Sequence, residues 1–228
     1  MSSKEIIDLI LTAVTIITAI IALWQTQKQI RLSNKQNLFD KRLEMYSLIE
    51  DLIHLYKQHR NLLINSENPK ENALLQDRLI VSCEPIFGFL TNVSYLADMV
   101  PAFHDPLIPA KQNVLLTKQE MLKKHSREVS ILWEDSLGEI FSNFIYTYAE
   151  VLMKLYQQKV RLEKIQEFNE TYKNQPKIQC DNAKVLKILK GNAEAIGLFQ
   201  TIKKLDDTYK EIVDNKRVDE LRRTLKLS

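Results

Sequence analysis

The chain has 228 residues, with 32 Lys+Arg against 29 Asp+Glu (formal charge +3), 45% hydrophobic residues, four Gly, six Pro and two Cys. The length allows one domain, or one domain with an appendage; the apolar content suffices for a core and excludes wholesale disorder. Scarce Gly argues against Rossmann-like and β-rich folds and for long helices, two cysteines exclude a disulfide scaffold or a Cys-rich zinc site, and so small a charge surplus argues against a nucleic-acid partner.

Residues 9–24 read LILTAVTIITAIIALW and carry no charge. With Ile6, Ile7 and Asp8 the segment spans 6–24, about 28 Å as a helix. That is close to the ~30 Å hydrocarbon core of a bilayer. The expectation is a transmembrane helix over 6–24, behind a short external tail at 1–5. Asp8 falls at one edge and Trp24 at the other, where an amphipathic ring is favoured. A cleaved signal peptide fits less well, because only Lys4 precedes the run and Ala22-Leu23-Trp24 is a poor cleavage site. A soluble core helix would carry a polar stripe, whereas the only polar side chains from 9 to 24 are Thr12, Thr15 and Thr18. Lys28, Arg31, Lys35, Lys41 and Arg42 follow the segment, against Lys4 before it. The positive-inside rule then places the N-terminus outside and the rest in the cytoplasm. Trp24, Lys28, Arg31 and Lys35 are the expected membrane-interface residues. Thr12, Thr15, Ala19 and Ala22 share one helical face and form a candidate helix-association surface. The alternative is that Thr and Ala are simply common in such segments.

Residues 25–37 are expected to form a basic juxtamembrane helix, and 38–228 a cytosolic helical bundle. From Leu38 onward, Leu38, Lys41, Met45, Leu48, Leu52, Leu55, His59 and Leu62 recur at helical spacing. Phe39, Leu43, Tyr46, Ile49, Ile53 and Tyr56 form a second stripe beside them. Two stripes make a wide face, which suits a bundle better than a two-stranded coiled coil. Asn65–Pro69 is a break, with Asn68 as a cap, Pro69 in the first turn and Glu71 completing a capping box. The next helix is expected to reach about Val100, kinked or split at Pro85. Residues 101–110 carry three prolines and are expected to be non-helical, and Thr117 with Glu120 reads as another capping box.

Leu137, Phe141, Phe144, Tyr148, Val151, Leu155, Gln158, Leu162, Ile165, Asn169 and Tyr172 alternate steps of four and three. That pattern predicts a long helix facing other helices, closed by Pro176 and with a break near Gly138 as an open alternative. Gln158 and Asn169 either set its register or lie at solvated ends. A last helix over about 182–226 would be capped by Asp181 and loosened at Gly191 and Gly197. The whole reads as all-α: a transmembrane helix, then an antiparallel bundle of about four long helices. In that topology Phe103, Leu107 and Ile108 face the bilayer. Lys216, Arg217, Arg222, Arg223 and Lys226 would approach anionic headgroups, unless Asp219 and Glu220 neutralise them through i,i+3 pairs.

Motifs for chemistry are sparse. The sequence holds no GxxxxGK[ST], HExxH, GxSxG or CxxC. His54 and His59 are five apart and do not share a helix face as paired ligands should. His59 occupies a core register, and His125 lies in the basic run KKHSR, where exposure is expected. His104-Asp105 matches the doublet of the HD phosphohydrolases, with His54 or His59 as the distant histidine and Asp135 as the distant aspartate, but it lies among prolines. No arginine precedes a histidine at the spacing of HEPN ribonucleases. Phe141, Phe144, Tyr146, Tyr148 and Tyr156 read as packing rather than base stacking. No catalytic residue, cofactor or metal is therefore expected.

The stretch SNKQNLFDKRLEMYSLIEDL, residues 33–52, resembles a segment that follows the membrane span in uncharacterised bacterial small membrane proteins, over about residues 5–60. The resemblance implies a bacterial, single-span protein facing the cytoplasm and carries over no catalytic residue. The function expected is a non-enzymatic, membrane-anchored interaction, scaffold or sensory protein. Its partners would be the lipid bilayer and a protein or second copy. The alternatives are a membrane-perturbing effector, of phage-defence or toxin type, that self-assembles through the Thr/Ala face, and more remotely an HD-type phosphohydrolase.

Overall fold

The computed structural model describes residues 3–64, 69–133, 135–175 and 179–225, and side chains from Leu11 onward except those of Ala13, Pro69 and Lys70. The described residues are all-α and contain no strand. The helices are α1 (Ser3–His59), α2 (Pro69–Val81), α3 (Glu84–Leu90), α4 (Val100–His104), α5 (Pro109–Leu132), α6 (Ser136–Thr171), α7 (Asn182–Ala195), α8 (Leu198–Asp214) and α9 (Arg217–Thr224). Short 3₁₀ turns follow α1 at Arg60–Leu62 and precede α4 at Ala97–Met99. The chain divides into two compact units, the first holding α1 as far as Glu44 and the second beginning at Met45.

Among the described residues no helix is long and apolar enough to cross a membrane, which overturns the transmembrane helix expected over 6–24. Those residues open the 57-residue α1. Its uncharged apolar run, 9–24, passes after Trp24 into Gln25, Gln27 and Lys28. That run is about 24 Å long as a helix, short of the ~30 Å required. The side chains of Ile6, Ile7 and Asp8, which the nineteen-residue reading added to the run, lie outside the described residues.

The second unit is built on α6, against which α5, α8, α7 and α3 pack. The stripe read from the sequence is its buried face: Leu137, Phe141, Phe144, Tyr148, Val151, Leu155, Gln158 and Ile165 are all buried. From α1, Tyr56 sets its ring edge-on to Phe144 at 6.3 Å and tilts against Tyr209 of α8 at 5.0 Å. Gln158 is no solvated end. Its amide nitrogen donates to the Ile80 and Leu189 carbonyls, and its oxygen accepts from Asn192 at 2.7 Å. One buried side chain thus ties α6 to both α2 and α7. Asn169 bonds both the amide and the carbonyl of Cys180, which fixes the approach to α7.

The expected four long helices are instead nine among the described residues. Pro85, Pro101 and Pro109 each open a helix within its first two positions. There the missing N–H costs nothing, so three prolines start helices rather than abolish them. The helix expected to reach Val100 splits beside Pro85, as read, into α2 and α3, and α3 stops at Leu90; 101–110 is partly helical, through α4 and the start of α5. Thr117 lies inside α5 and donates to the Asn113 carbonyl, so it caps nothing. Asp181 does cap α7, accepting from the Lys184 amide at 2.7 Å. The last expected helix is three. Gly197 takes a left-handed φ of 65° between α7 and α8, and Lys216 takes φ 51° before α9. The break read as an alternative near 135–138 is present, since α5 ends at Leu132 and α6 begins at Ser136, and a Cβ at Gly138 would lie 1.7 Å from the Trp133 carbonyl oxygen. The close passage from α5 into α6 therefore requires glycine. Asn68 and Pro176 lie outside the described residues.

Candidate functional site

The most unusual surface belongs to the first unit. Leu11, Val14, Ile16, Ile17, Ile20, Ile21, Leu23 and Trp24 are 50–67% exposed. Successive residues turn by about 100°, so these eight side chains cover about 240° of the helix, and Thr12, Thr15, Ala19 and Ala22 occupy the remaining sector of about 120°. The threonine hydroxyls between and beyond them turn inward: Thr15, Thr18 and Thr26 donate to the carbonyls of Leu11, Val14 and Ala22, each at 2.8 Å. These three hydroxyls thus have an acceptor without water. Thr12, Thr15, Ala19 and Ala22 are all exposed. Trp24, Lys28, Arg31 and Lys35 are exposed as well, with the Lys28 ammonium 5.6 Å from the Trp24 ring.

The basic C-terminal residues are partly engaged within the bundle. Arg217 pairs with Glu220 at 2.8 Å, the i,i+3 neutralisation read from the sequence. Arg222 donates to the Tyr46 hydroxyl at 2.8 Å and to Glu50 at 3.1 Å. Lys216 and Arg223 are exposed, and Lys226 lies outside the described residues. Phe103, expected to face a bilayer, is instead 1% exposed and stacked on Phe87 at 4.0 Å.

The His104-Asp105 doublet closes α4 beside a cleft of about 340 Å³ whose walls include Ser82, Glu84, Pro85, Gly88 and Val100. His104 Nδ1 lies 2.7 Å from Glu84, which Lys159 also approaches at 3.6 Å. Asp105 is held by Lys111, whose hydrogen bond lowers its carboxyl below the ordinary range. Among the described residues no group of three His, Cys, Asp or Glu side chains is placed to hold a metal. His59 stacks on Phe89 at 4.6 Å and Asp135 precedes α6, so neither completes the doublet as a ligand set. His125, expected to be exposed, is 8% exposed, sits 2.8 Å from Glu128 and packs against Tyr95. Tyr146 is exposed, while Phe141, Phe144, Tyr148 and Tyr156 are buried and pack as expected. Cys83 is buried, and desolvation pushes its thiol up to about 12. At that value the nucleophilic thiolate is scarce at neutral pH.

One polar centre escaped the sequence reading. The Asp206 side chain is 1% exposed. It accepts from Arg60 Nε, from Arg60 Nη2 at 3.0 Å, from the Tyr56 hydroxyl at 3.1 Å and from Lys210 at 2.8 Å. Desolvation pushes its carboxyl up, but the hydrogen bonds from Arg60 and Lys210 outweigh it and leave the carboxyl below its ordinary range. The signal was present in the register. Ile202, Leu205, Tyr209 and Ile212 form the buried face of α8, and Asp206 falls among them at helical spacing. A carboxylate on such a face needs a cation from a neighbouring element. Here it joins the end of α1 and the following turn to α8.

No family model, curated protein or solved structure matches the chain, so no residue inherits a role from a relative.

Proposed function

We propose that this chain is a non-enzymatic interaction or scaffold protein that docks on a lipid bilayer through its N-terminal helix, with the helical bundle as the part that meets other partners. One observation carries the reading: large apolar side chains from Leu11 to Trp24 are exposed over about two-thirds of the helix circumference, with Ala19 and Ala22 exposed in the remaining sector. A second copy or a protein groove would cover one stripe of that cylinder, whereas lipid chains cover it from every side. Burying eight such half-exposed side chains favours association by on the order of 10 kcal/mol. The inward-turned threonine hydroxyls suit an apolar medium, where an unsatisfied donor is expensive.

The test is density-gradient flotation of the full chain with phosphatidylcholine vesicles. Wild type should float, and a variant with Ile16, Ile17, Ile20 and Ile21 changed to Gln should stay at the bottom. Wild type remaining at the bottom would refute the reading. Release of a trapped dye, lost when Ala19 and Ala22 are changed to Leu, would instead favour the membrane-perturbing effector.

A further inference from the structure

The outer face of α5 presents apolar and charged side chains that the bundle leaves exposed. Leu116 is 45% exposed, Met121 38% and Ile131 74%. Leu116, Glu120 and Lys124 form one ridge at steps of four, and Asn113, Thr117 and Met121 form the next. Along them runs a groove of about 570 Å³ lined by α5 side chains from Asn113 to Arg127. Such a groove accepts the ridge of a second helix at a crossing of about 20°, shallow enough for contact to continue over about four turns.

The spacing on this face reads the same in both directions. Leu116, Glu120, Arg127 and Ile131 follow at steps of four, seven and four. At 100° per residue their directions fall within a sector of about 60°, and they span about 22 Å. The outer two are apolar, and the inner two are one acid and one base. Glu120 and Arg127 are exposed, and neither has an ion-pair partner among the described residues.

We infer that this face of α5 pairs two copies of the chain, antiparallel about a two-fold axis near Lys123 and Lys124. The inference is carried by α5 alone and stands whether or not α1 meets lipid. In that arrangement Leu116 meets the partner's Ile131 and Glu120 meets the partner's Arg127, and the symmetry makes each contact twice. Charge complementarity selects a second copy in this orientation, because a parallel pair would set acid on acid and base on base. The lysines beside the axis are answered within each copy, Lys123 by Glu150 at 3.6 Å and Lys124 by Glu128 at 3.7 Å. One helix face per copy falls below the ~1,200 Å² of a standard interface, so the dimer is a transient one.

The experiment is sedimentation equilibrium of the full chain, up to submillimolar concentration, in a nonionic detergent that occupies the apolar part of α1. Wild type should show a monomer–dimer equilibrium. Glu120→Arg and Arg127→Glu should each weaken it by at least about tenfold, since each turns two attractive contacts into two repulsive ones. Mixed one to one, these two variants should associate as wild type does, because one copy then offers two bases and the other two acids. The double variant Glu120→Arg, Arg127→Glu should also recover wild-type association. Circular dichroism of each variant should match wild type, so that a loss is not unfolding. A wild type that stays monomeric, a dimer that persists in both single variants, or single variants that stay apart when mixed would each overturn the inference.

Discussion

Asp206→Ala is the sharpest perturbation of the bundle. It removes the acceptor for the Arg60 guanidinium, whose side chain is 27% exposed, and for the buried Tyr56 hydroxyl. Breaking a buried ion pair by deleting one member costs about 3–5 kcal/mol, because the remaining charge stays desolvated. Arg60 retains some water and Lys210 is 43% exposed. The low end therefore applies, about 3 kcal/mol, with Lys210 supplying less than about 1 of it. In urea this should lower the midpoint by about 1–2 M, and heating should show a Tm lower by roughly 6–12 °C. The pH dependence carries a sign. The folded carboxyl titrates below its ordinary value of 3.8, so the unfolded chain takes up the proton first as pH falls. The stability that Asp206 supplies is complete above the unfolded value and is lost as pH falls through the depressed folded one. The gap between wild type and variant should be constant from neutrality down to about pH 5 and narrow below about pH 4. Urea titrations followed by circular dichroism across that range test both parts. Midpoints that coincide at pH 7, or a gap that widens with acid, would refute the reasoning.

Other outcomes follow from single positions. Gly138→Ala places a methyl against the Trp133 carbonyl at a nominal 1.7 Å, so the α5–α6 junction must shift at a cost of about 1–3 kcal/mol; an unchanged thermal midpoint would contradict this. Gly197→Ala forces a Cβ onto a left-handed residue and should cost about 1–2 kcal/mol, whereas Gly191→Ala, with open space around its Cβ, should be neutral or stabilising. Gln158→Leu removes the donor to the Ile80 carbonyl at the end of α2, a second bond to the Leu189 carbonyl and the acceptor of the Asn192 amide, and should lower chemical stability by about 1–3 kcal/mol. Toward a thiol reagent at pH 8, Cys180 should react in the native protein, while Cys83, buried and with its thiol pushed up to about 12, should react only on unfolding. Equal native rates would contradict that burial.

What the sequence made legible depended on how many independent signals agreed. One seam of α6 was readable, because eleven positions kept one helical register and eight of them are buried, but the face is wider, with Ile140, Ile145, Ala149 and Leu152 buried beside it. Pro69 at the start of α2 and Asp181 capping α7 were readable because each acts on its own neighbours. The prolines of 101–110 misled, since a proline is equally content to start a helix or to prevent one, and only the packing of α4 and α5 decides. Gly197 ends α7 through a positive φ that Gly191, the same residue type six positions earlier, does not adopt. His125 was assigned to solvent from its basic neighbours, but the register that carries Leu122 and Val129 into the core carries it inward too. The apolar run of α1 was legible as composition. Its reading as a membrane span depended on adding Ile6, Ile7 and Asp8 to the uncharged run 9–24, which alone falls short of the length required.

The account turns on the exposed apolar surface of α1 meeting lipid, and Trp24 reports on it directly. The chain has two tryptophans, and Trp133 is already buried at 4% exposure. The fluorescence difference between wild type and Trp24→Phe therefore isolates Trp24. On addition of vesicles that difference spectrum should shift to the blue and be quenched by brominated acyl chains. An emission that neither shifts nor quenches, at lipid concentrations well above the protein, would contradict the account.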